Sequence, residues 1–454
     1  MTQRCIDFST ADDSVVVFPC REVSGEVDLP GDKSISHRAV LFSLLGEGRA
    51  RVSNLSASAD VASSVAAVRL LGGRIELADR QSEVPVEGYL EGRAPLLTHN
   101  LDEYSEELLV SCGNSGTTMR LLAGILAGRP GRFVLVGDDS LSQRPMKRVV
   151  DPLSAMGARI TLPSSGTAPI QIEGSSLTGG AFTLPVASAQ VKSALLLAGL
   201  SADGSTTVRE PAASRDHTER LLKHLGADIS LSTDGCVVKP SRLQMRDIDI
   251  PADPSAASFF AVAVALVGGE IAARGVSSNP TRTGFFDVLA SVGVQVTSRR
   301  EETVSGEPRS NLAFRREDLR AIEIDASSMP GSIDEIPLLG VVGSLAPGTT
   351  RVTGAGELRV KESDRISVLV DGLRAAGVAI RPLADGFEVE GGPVPKGGCT
   401  LDPAGDHRMA MAFAVLALAC EEPVKIRDAS CVKVSDPGFW DTLARVGVPR
   451  GLRG

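Results

Sequence analysis

The pentapeptide Leu225-Gly226-Ala227-Asp228-Ile229 holds the pattern that decides the fold, because an amphipathic stretch precedes it and an apolar alternation follows it. Glycine directly after a helix typically takes the left-handed conformation that ends the helix, and the alternation is typical of a β-strand. The pattern therefore predicts a helix that ends at Gly226 and a strand that starts at once. The same pattern recurs at residues 71–75, 156–160, 292–296 and 376–380, with a degraded copy at residues 446–450.

The copies are spaced so that the chain reads as two related halves. Gly293 lies 221 residues after Gly72, and Gly447 lies 221 residues after Gly226. The same offset joins residues 27–34 (Val-Asp-Leu-Pro-Gly-Asp-Lys-Ser) to residues 248–255 (Ile-Asp-Ile-Pro-Ala-Asp-Pro-Ser). Several matches at one offset, in the same order, predict an internal duplication with three units in each half.

Each unit also contains a strongly apolar segment. These segments begin near Ala39, Met119, Val191, Ala256, Ile336 and Met409. A helix that is apolar all round is buried on every side, so one unit reads strand, buried helix, strand, amphipathic helix, strand. Three buried helices in each half, inside a shell of sheets and outer helices, would satisfy this pattern. The alternative is a solenoid, and two large blocks of only three copies each argue against it.

Composition excludes several classes of function. A length of 454 residues predicts two or three domains, and a net charge of −9 disfavours nucleic acid and anionic membranes as partners. The longest apolar run, residues 254–269, is too short to span a bilayer, and the N-terminus lacks the layout of a signal peptide. The seven cysteines are scattered and form no Cys-x-x-Cys pair, which favours free thiols in a reducing compartment. A cytoplasmic protein is expected.

Segments rich in polar residues, most of them with Lys or Arg, precede most of the predicted helices. They lie at residues 30–38, 112–120, 187–192, 331–335 and 405–408 before buried helices, and at residues 142–148, 214–217 and 361–365 before outer ones. Helix N-termini attract anions, whereas Lys and Arg oppose the helix dipole there. A ligand with several phosphate and carboxylate groups, held between the halves, would explain the recurrence. The alternative for any single segment is a simple N-cap or capping box.

Other kinds of site find no support in the sequence. A P-loop motif is absent, and residues 354–359 lack the third glycine of a dinucleotide fingerprint, so a nucleotide cofactor is not expected. His217 and His224 share a helical stretch but have no evident third ligand, which disfavours a metal. Cys112 stands at a helix start, where a nucleophile could lie, but the lack of an activating base disfavours that role.

Taken together, the segments closely resemble the 5-enolpyruvylshikimate-3-phosphate synthase family over essentially the whole chain. The most specific matches are residues 30–38, 113–117, 143–146, 188–194, 215–219, 359–365 and 406–408. Residues 188–192 and 215–219 resemble the second class of bacterial members, which includes glyphosate-tolerant enzymes. The resemblance implies a two-domain inverse α/β barrel of six βαβαββ units, three per domain. Residues 1–32 with 250–454 would form one domain, and residues 33–249 the other.

The resemblance also implies an activity. The enolpyruvyl group of phosphoenolpyruvate would pass to the 5-hydroxyl of shikimate 3-phosphate, with release of phosphate, by addition and elimination through a tetrahedral intermediate. This is a step of aromatic amino-acid biosynthesis. The resemblance implies no cofactor and no metal, a monomer, domains that close on substrate, and glyphosate as an inhibitor.

Site residues are carried over by position. Lys33 resembles the lysine at the reacting centre, Asp334 the base on the 5-hydroxyl, and Glu362 the carboxylate that moves the methylene proton. The implied shikimate-3-phosphate ligands are Lys33, Ser34, Arg38, Ser188, Ala189, Gln190, Arg215, Asp334 and Lys361. The implied phosphoenolpyruvate ligands are Lys33, Gly116, Arg144, Gln190, Arg365 and Arg408.

Two further positions lead to predictions about substrate binding and about sensitivity to glyphosate. Many members carry a lysine where this chain has Val434, so the adjacent Lys433 is left out of the site. Gly116 stands where a larger residue would crowd glyphosate, and sensitivity to glyphosate is therefore expected to be kept at this position.

Two rival functions stay open at this point. One rival is the sister transferase that acts on UDP-N-acetylglucosamine. That enzyme carries a reactive Cys in a loop that corresponds to residues 138–144, where this chain has no cysteine. It also has Lys-Asn where this chain has Lys33-Ser34. The other rival is a non-catalytic anion-binding protein on the same scaffold. Retention of Lys33, Asp334 and Glu362 together argues against it, because binding alone needs no proton carriers.

Overall fold

The computed structural model of the chain describes residues 5–78, 86–93, 107–232 and 235–450. The α-helices are α1 (Lys33–Phe42), α2 (Ala59–Leu70), α3 (Gly116–Ala127), α4 (Lys147–Ala155), α5 (Ala189–Gly199), α6 (His217–His224), α7 (Pro254–Val267), α8 (Gly284–Val292), α9 (Pro337–Gly343), α10 (Arg365–Ala375), α11 (His407–Ala419) and α12 (Phe439–Val446).

The strands up to the midpoint of the chain are β1 (Ile6–Ser9), β2 (Ser14–Val17), β3 (Cys20–Val27), β4 (Gly46–Leu55), β5 (Arg74–Leu77), β6 (Val86–Arg93), β7 (Leu108–Ser111), β8 (Arg132–Val136), β9 (Arg159–Thr161), β10 (Ile170–Glu173), β11 (Ala181–Thr183), β12 (Thr206–Arg209), β13 (Ile229–Ser232), β14 (Gly235–Val238), β15 (Leu243–Gln244) and β16 (Ile248–Asp249). The later strands are β17 (Gly269–Ser277), β18 (Val294–Val304), β19 (Glu307–Arg316), β20 (Glu323–Asp325), β21 (Gly348–Thr353), β22 (Ala379–Leu383), β23 (Gly386–Gly391), β24 (Thr400–Leu401), β25 (Val424–Arg427) and β26 (Gly447–Pro449).

Contacts along the chain divide it into two compact units. The central unit comprises Gly31–Ile250 together with Thr303–Glu307. The terminal unit comprises Met1–Pro30, Pro251–Glu302 and Pro308–Gly454. Each unit has its own cluster of buried hydrophobic side chains, so each builds a core by itself.

The core of each unit contains three apolar helices. In the central unit α3 packs against both α1 and α5, and in the terminal unit α7, α9 and α11 pack on one another. The α3–α5 contact is close, because a Cβ on Gly124 would lie only 2.2 Å from the carbonyl oxygen of Ala194. A glycine is therefore required where these two helices touch. The predicted buried helices are confirmed in all six places.

The sheets repeat one connectivity. In the central unit the strand orders are β7-β8-β10-β9, β11-β12-β14-β13 and β15-β4-β6-β5, with β16 also on β4. The first pair in each order is parallel and the others are antiparallel. A parallel pair needs a crossover, which the buried helix supplies for β7-β8 and β11-β12, whereas β15 comes at the end of the unit and completes the sheet of β4. The resulting order of strand, buried helix, strand, outer helix and two strands is the βαβαββ unit that the resemblance implies, with one strand more than the sequence pattern alone predicted.

Sheets of the terminal unit follow the same scheme with strands from both chain ends. The orders are β20-β21-β23-β22, β18-β19-β17-β3-β26 and β1-β2-β25-β24. In the last of these, Val17 on β2 stands opposite Val424 on β25. The N-terminal strands therefore complete sheets whose other members lie hundreds of residues later.

The glycines that end the outer helices adopt the conformation predicted for them. Gly72, Gly157, Gly226, Gly293 and Gly377 have φ between 85° and 111°. Gly447, in the degraded copy, has φ −76°, and α12 runs directly into β26. Among the helices in the described ranges, none is both long and apolar enough to cross a membrane.

Candidate active site

The predicted site residues fall into two groups, one in each unit. The central unit contains Lys33, Ser34, Arg38, Gly116, Arg144, Ser188, Ala189, Gln190 and Arg215, and the terminal unit contains Asp334, Lys361, Glu362, Arg365 and Arg408. Most lie at or just before the start of a helix.

Lys33 is the first residue of α1. Asp32 caps this helix, since its carboxylate accepts the backbone N–H of Ile35 at 2.9 Å. The Lys33 ammonium lies 2.9 Å from a carboxylate oxygen of Asp60, near the start of α2. An internal carboxylate thus offsets part of the unfavourable interaction between this lysine and the helix dipole.

Arg38 is buried one turn later on the same helix. Its guanidinium donates to the hydroxyl of Thr218 at 2.6 Å, to the hydroxyl of Ser193 at 2.9 Å and to the carbonyl of Ser34 at 2.8 Å. The pKa of Arg38 is lowered to about 10, chiefly by burial and to a smaller extent by the nearby charge of the half-buried Arg215, while nearby carboxylates oppose the shift. Two neighbouring cations are suited to a dianion such as phosphate.

The start of α5 carries the next three predicted ligands. Ser188 caps the helix by accepting the backbone N–H of Val191 at 3.5 Å. The side-chain amide of Gln190 donates to Thr117 at 3.0 Å, and its oxygen accepts from Arg120 at 2.6 Å. Gln190 therefore ties the start of α5 to α3.

Gly116 and Arg144 lie close together. A Cβ on Gly116 would lie 2.6 Å from Nη1 of Arg120 and 3.6 Å from Nη1 of Arg144. Arg144 donates to the side-chain oxygen of Asn114 at 2.6 Å and to Ser140 at 3.3 Å. Glycine at position 116 therefore lets the Arg120 guanidinium lie close to the backbone, which a side chain at this position would prevent.

Arg365, the first residue of α10, is the centre of the group in the terminal unit. Its side chain is 1% exposed, and it donates to Asp406 at 2.7 Å, to Glu362 at 2.6 Å and to Asp334 at 3.2 Å. Burial alone would lower the pKa of Arg365, but the three carboxylates outweigh it and raise the pKa above its ordinary value. One cation therefore holds both predicted proton carriers.

Arg408 and Lys361 complete this group. Arg408 donates to Glu335 at 3.3 Å and lies 3.9 Å from a carboxylate oxygen of Asp334. The ammonium of Lys361 lies 2.8 Å from Glu357 and 3.7 Å from Asp334. Asp334 thus has cationic groups from Lys361, Arg365 and Arg408 within 4 Å.

Three other side chains singled out in the sequence have different surroundings. Cys112 is buried, and burial raises its pKa to about 12, so its thiol lacks nucleophilic character. His217 binds Glu307 at 2.8 Å, and no cluster of three or more metal-binding side chains occurs in the described part of the chain. Lys433 is exposed, in a 3-10 helix that spans Ala429–Val434.

Sequence reasoning missed the acidic and polar partners of the predicted ligands. They are Asp60, Arg120, Thr218, Glu335 and Asp406. Four of them lie within polar segments already noted in the sequence, but only the tertiary fold shows which side chains they meet. Asp60 lies outside those segments, and nothing in its local sequence marks it.

Comparison with known proteins identifies the family to which this chain belongs. The sequence model of the family described as EPSP synthase (3-phosphoshikimate 1-carboxyvinyltransferase) matches residues 17–443. The chain belongs to the EPSP synthase family. A 3-phosphoshikimate 1-carboxyvinyltransferase of Halorhodospira halophila is 47% identical over 437 residues, which cover 95% of this chain and 96% of that protein. One of Syntrophomonas wolfei is 43% identical and covers 93% and 97%.

Solved structures agree with this membership. EPSP synthase from Acinetobacter baumannii superposes with a TM-score of 0.82 at 36% identity, over 96% of this chain and 98% of that one. The enolpyruvyl transferase NikO from Streptomyces tendae gives a TM-score of 0.74 at 18% identity, over 96% and 97%, which shows a shared fold. The α/β fold class predicted from the resemblance to EPSP synthases is confirmed.

Proposed function

We propose that this chain is a transferase of the shikimate pathway that moves the enolpyruvyl group of phosphoenolpyruvate to the 5-hydroxyl of shikimate 3-phosphate and releases phosphate. The observation that carries the proposal is the Arg365 group, in which one buried cation holds Asp334 and Glu362 beside Lys361 and Arg408. Two carboxylates and several cations in one group suit a reaction that moves protons between anionic substrates.

In this proposal the central unit binds shikimate 3-phosphate. Arg38, Arg215, Ser188 and the backbone of Ala189 would receive the 3-phosphate, with Ser34 and Gln190 nearby on the same helix starts. Helix N-termini and guanidinium groups are good phosphate donors. The position of Arg215 as a second cation close to Arg38 supports this assignment, because a dianion is well bound by two neighbouring cations.

Phosphoenolpyruvate would be bound through its carboxylate and phosphate. We assign Gly116, Arg144, Arg365 and Arg408 to this substrate, with Lys33 and Gln190 touching both substrates. Arginine suits the task because its planar fork donates two hydrogen bonds to a carboxylate or phosphate. The closeness of Gly116 to the guanidinium of Arg144 supports the assignment.

Protons must move at two atoms. We assign Asp334 to take the proton of the 5-hydroxyl as its oxygen bonds to C2 of phosphoenolpyruvate, while Glu362 protonates the methylene carbon. The Glu362 carboxylate then takes a proton from the methyl carbon as the C2–O bond to phosphate breaks, phosphate leaves with the proton that Asp334 took, and the enol ether forms. Lys33 and Lys361 would stabilise the charge that develops at the reacting centre.

A phosphate-release assay with shikimate 3-phosphate and phosphoenolpyruvate tests the proposal. Release that requires both substrates, with formation of the enol ether seen by mass spectrometry, is the expected result. Release with UDP-N-acetylglucosamine as acceptor, and none with shikimate 3-phosphate, would overturn it. The absence of cysteine in residues 138–144 already disfavours that outcome.

Four finer statements belong to the same proposal. We infer that the enzyme is cytoplasmic, that it is a monomer, that glyphosate competes with phosphoenolpyruvate, and that the domain boundaries lie near residues 32 and 249. No metal or cofactor enters the proposed steps.

A further inference from the structure

A buried charge cluster lies in the central unit beside the proposed phosphate ligands. Lys192, on α5, places its ammonium 2.8 Å from Glu210 and 2.8 Å from Glu219. The three side chains are only 3% to 9% exposed. None of them has a role in the reaction described above, so the cluster needs its own explanation.

Glu210 is connected to two of the proposed substrate-binding segments. One of its oxygens accepts the backbone N–H of Ser188 at 3.0 Å, immediately before α5. The same oxygen accepts the hydroxyl of Ser214 at 2.7 Å, and Ser214 is the neighbour of Arg215. Glu210 thus joins the α5 N-terminus to the segment that carries Arg215.

Glu219 and Lys192 are connected to Arg38 through the residues next to them. Thr218 precedes Glu219 on α6 and accepts from Arg38 at 2.6 Å. Ser193 follows Lys192 on α5 and accepts from the same guanidinium at 2.9 Å. The ion pair between Lys192 and Glu219 therefore fixes the two hydroxyl groups that orient Arg38.

The charges of the cluster also act on the arginines. Burial is the largest influence on Lys192, yet the two carboxylates outweigh it and raise the pKa of this lysine. Glu219 also lies close enough to Arg38 to raise its pKa, against the effects of burial and Arg215. A buried ion cluster seldom stabilises a fold more than apolar packing would, so a specific arrangement is the better reason for it.

We propose that Lys192, Glu210 and Glu219 are positioning residues for the phosphorylated substrate, because they hold the segments that carry Ser188, Arg215 and Arg38 in one arrangement. The inference rests on the proposed function, since it takes these last three residues as ligands of the 3-phosphate. Among the hydrogen bonds and ion pairs of the described residues, none joins the cluster to a proposed phosphoenolpyruvate ligand. Its loss should therefore weaken one substrate selectively.

Steady-state kinetics with both substrates varied provide the test. Lys192→Met and Glu210→Ala should raise KM for shikimate 3-phosphate by about 10-fold, the order seen when outer-shell partners of a ligand are removed. KM for phosphoenolpyruvate and kcat should stay within about 2-fold. Glu210→Gln should restore most of the affinity, because its amide oxygen still accepts the N–H of Ser188.

A matched control is Lys239→Met. Lys239 pairs with Asp228 at 2.9 Å in the same unit, but both side chains are more than half exposed, so neither KM should change. If Lys192→Met fails to fold, the test rests on the two Glu210 variants. The inference then requires a higher KM for shikimate 3-phosphate in Glu210→Ala than in Glu210→Gln. Equal rises in both KM values, or a loss of kcat alone, would overturn the inference. No turnover by the wild-type enzyme would overturn the proposed function itself.

Discussion

The guanidinium of Arg365 alone organises three carboxylates of the candidate active site. Its three nitrogens are each engaged by a different carboxylate, from Asp406, Glu362 and Asp334. Asp406 also caps α11 by accepting the N–H of Arg408 at 2.9 Å. The carboxylate that anchors one proposed ligand therefore also fixes the backbone of another.

The first prediction concerns the two proton carriers. Glu362→Gln and Asp334→Asn keep the size of the side chain and a hydrogen-bond acceptor but remove the proton-transfer function. Turnover should fall by about 10² to 10⁴, while affinity for shikimate 3-phosphate, measured by calorimetry, should change little. Glu323→Gln is a suitable control, because Glu323 is largely exposed at β20. Turnover unchanged in either variant would reject the role of that residue.

The second prediction concerns Gly116. In Gly116→Ala the new Cβ would meet Nη1 of Arg120, which cannot move freely because it binds Gln190. We expect the inhibition constant of glyphosate to rise about 10-fold or more, a loss of about 1.4 kcal/mol or more of binding free energy. KM for phosphoenolpyruvate should rise as well, and KM for shikimate 3-phosphate should not. Wild-type inhibition far weaker than phosphoenolpyruvate binding would contradict the expected sensitivity.

The third prediction concerns Asp436, which is buried just before α12. Burial raises its pKa to about 7, with the charge of Asp253 adding to the effect, against an ordinary value of 3.8. Between about pH 4 and 7 the unfolded chain loses this proton while the folded protein keeps it. Ionisation therefore favours unfolding, and stability falls as the pH rises through this window, by up to about 4 kcal/mol.

Asp436→Asn removes this titration and keeps an acceptor for the N–H of Gly438. Melting temperatures of the variant and the wild type should be measured from pH 4 to 8. The melting temperature of the variant minus that of the wild type should increase up to about pH 7 and then stay constant. Curves that are parallel throughout would mean that the Asp436 pKa is not raised.

At the scale of elements, the helix-ending glycines give the clearest stability prediction. Gly72 has φ 85° and open space where a Cβ would lie. An alanine at this position would therefore clash with no neighbour, and its only cost would be the strain of the left-handed backbone. Gly72→Ala should lower the free energy of unfolding by about 1–2 kcal/mol. Gly180→Ala is the matched control, because φ is not left-handed and the nearest atoms lie at 3.5 Å. Equal melting temperatures for the two variants would show that the left-handed backbone at position 72 does not destabilise an alanine.

Element boundaries were predictable wherever the cause was local. The left-handed glycines, the apolar helices and the caps on α1, α5 and α11 all follow from residues within a few positions of one another. Which strands pair was not predictable, because β2, β3 and β26 join sheets through contacts across most of the chain. The same reason hid Asp60 and Glu210, whose importance lies in distant partners.

At the scale of the whole molecule, the two cores predict separable folding. Residues 31–250 contain all the helices and sheets of the central unit. A fragment of these residues should give a cooperative melt with native-like circular dichroism. It should melt below the full-length protein, because it lacks Glu307, which binds the buried His217. A fragment ending at residue 180, which loses α5 and its sheet, should not melt cooperatively. Similar broad transitions in both fragments would contradict independent cores.

The division of the terminal unit between both chain ends also sets the order in which the ribosome can finish the protein. Strand β2 needs β25, whose residues are made about 400 positions later. At roughly 5–20 residues per second, β2 must wait on the order of tens of seconds for this neighbour. The central unit can close during this time. Until β25 is made, β2 is thus an unpaired strand edge, which favours aggregation unless a chaperone or rapid translation protects it.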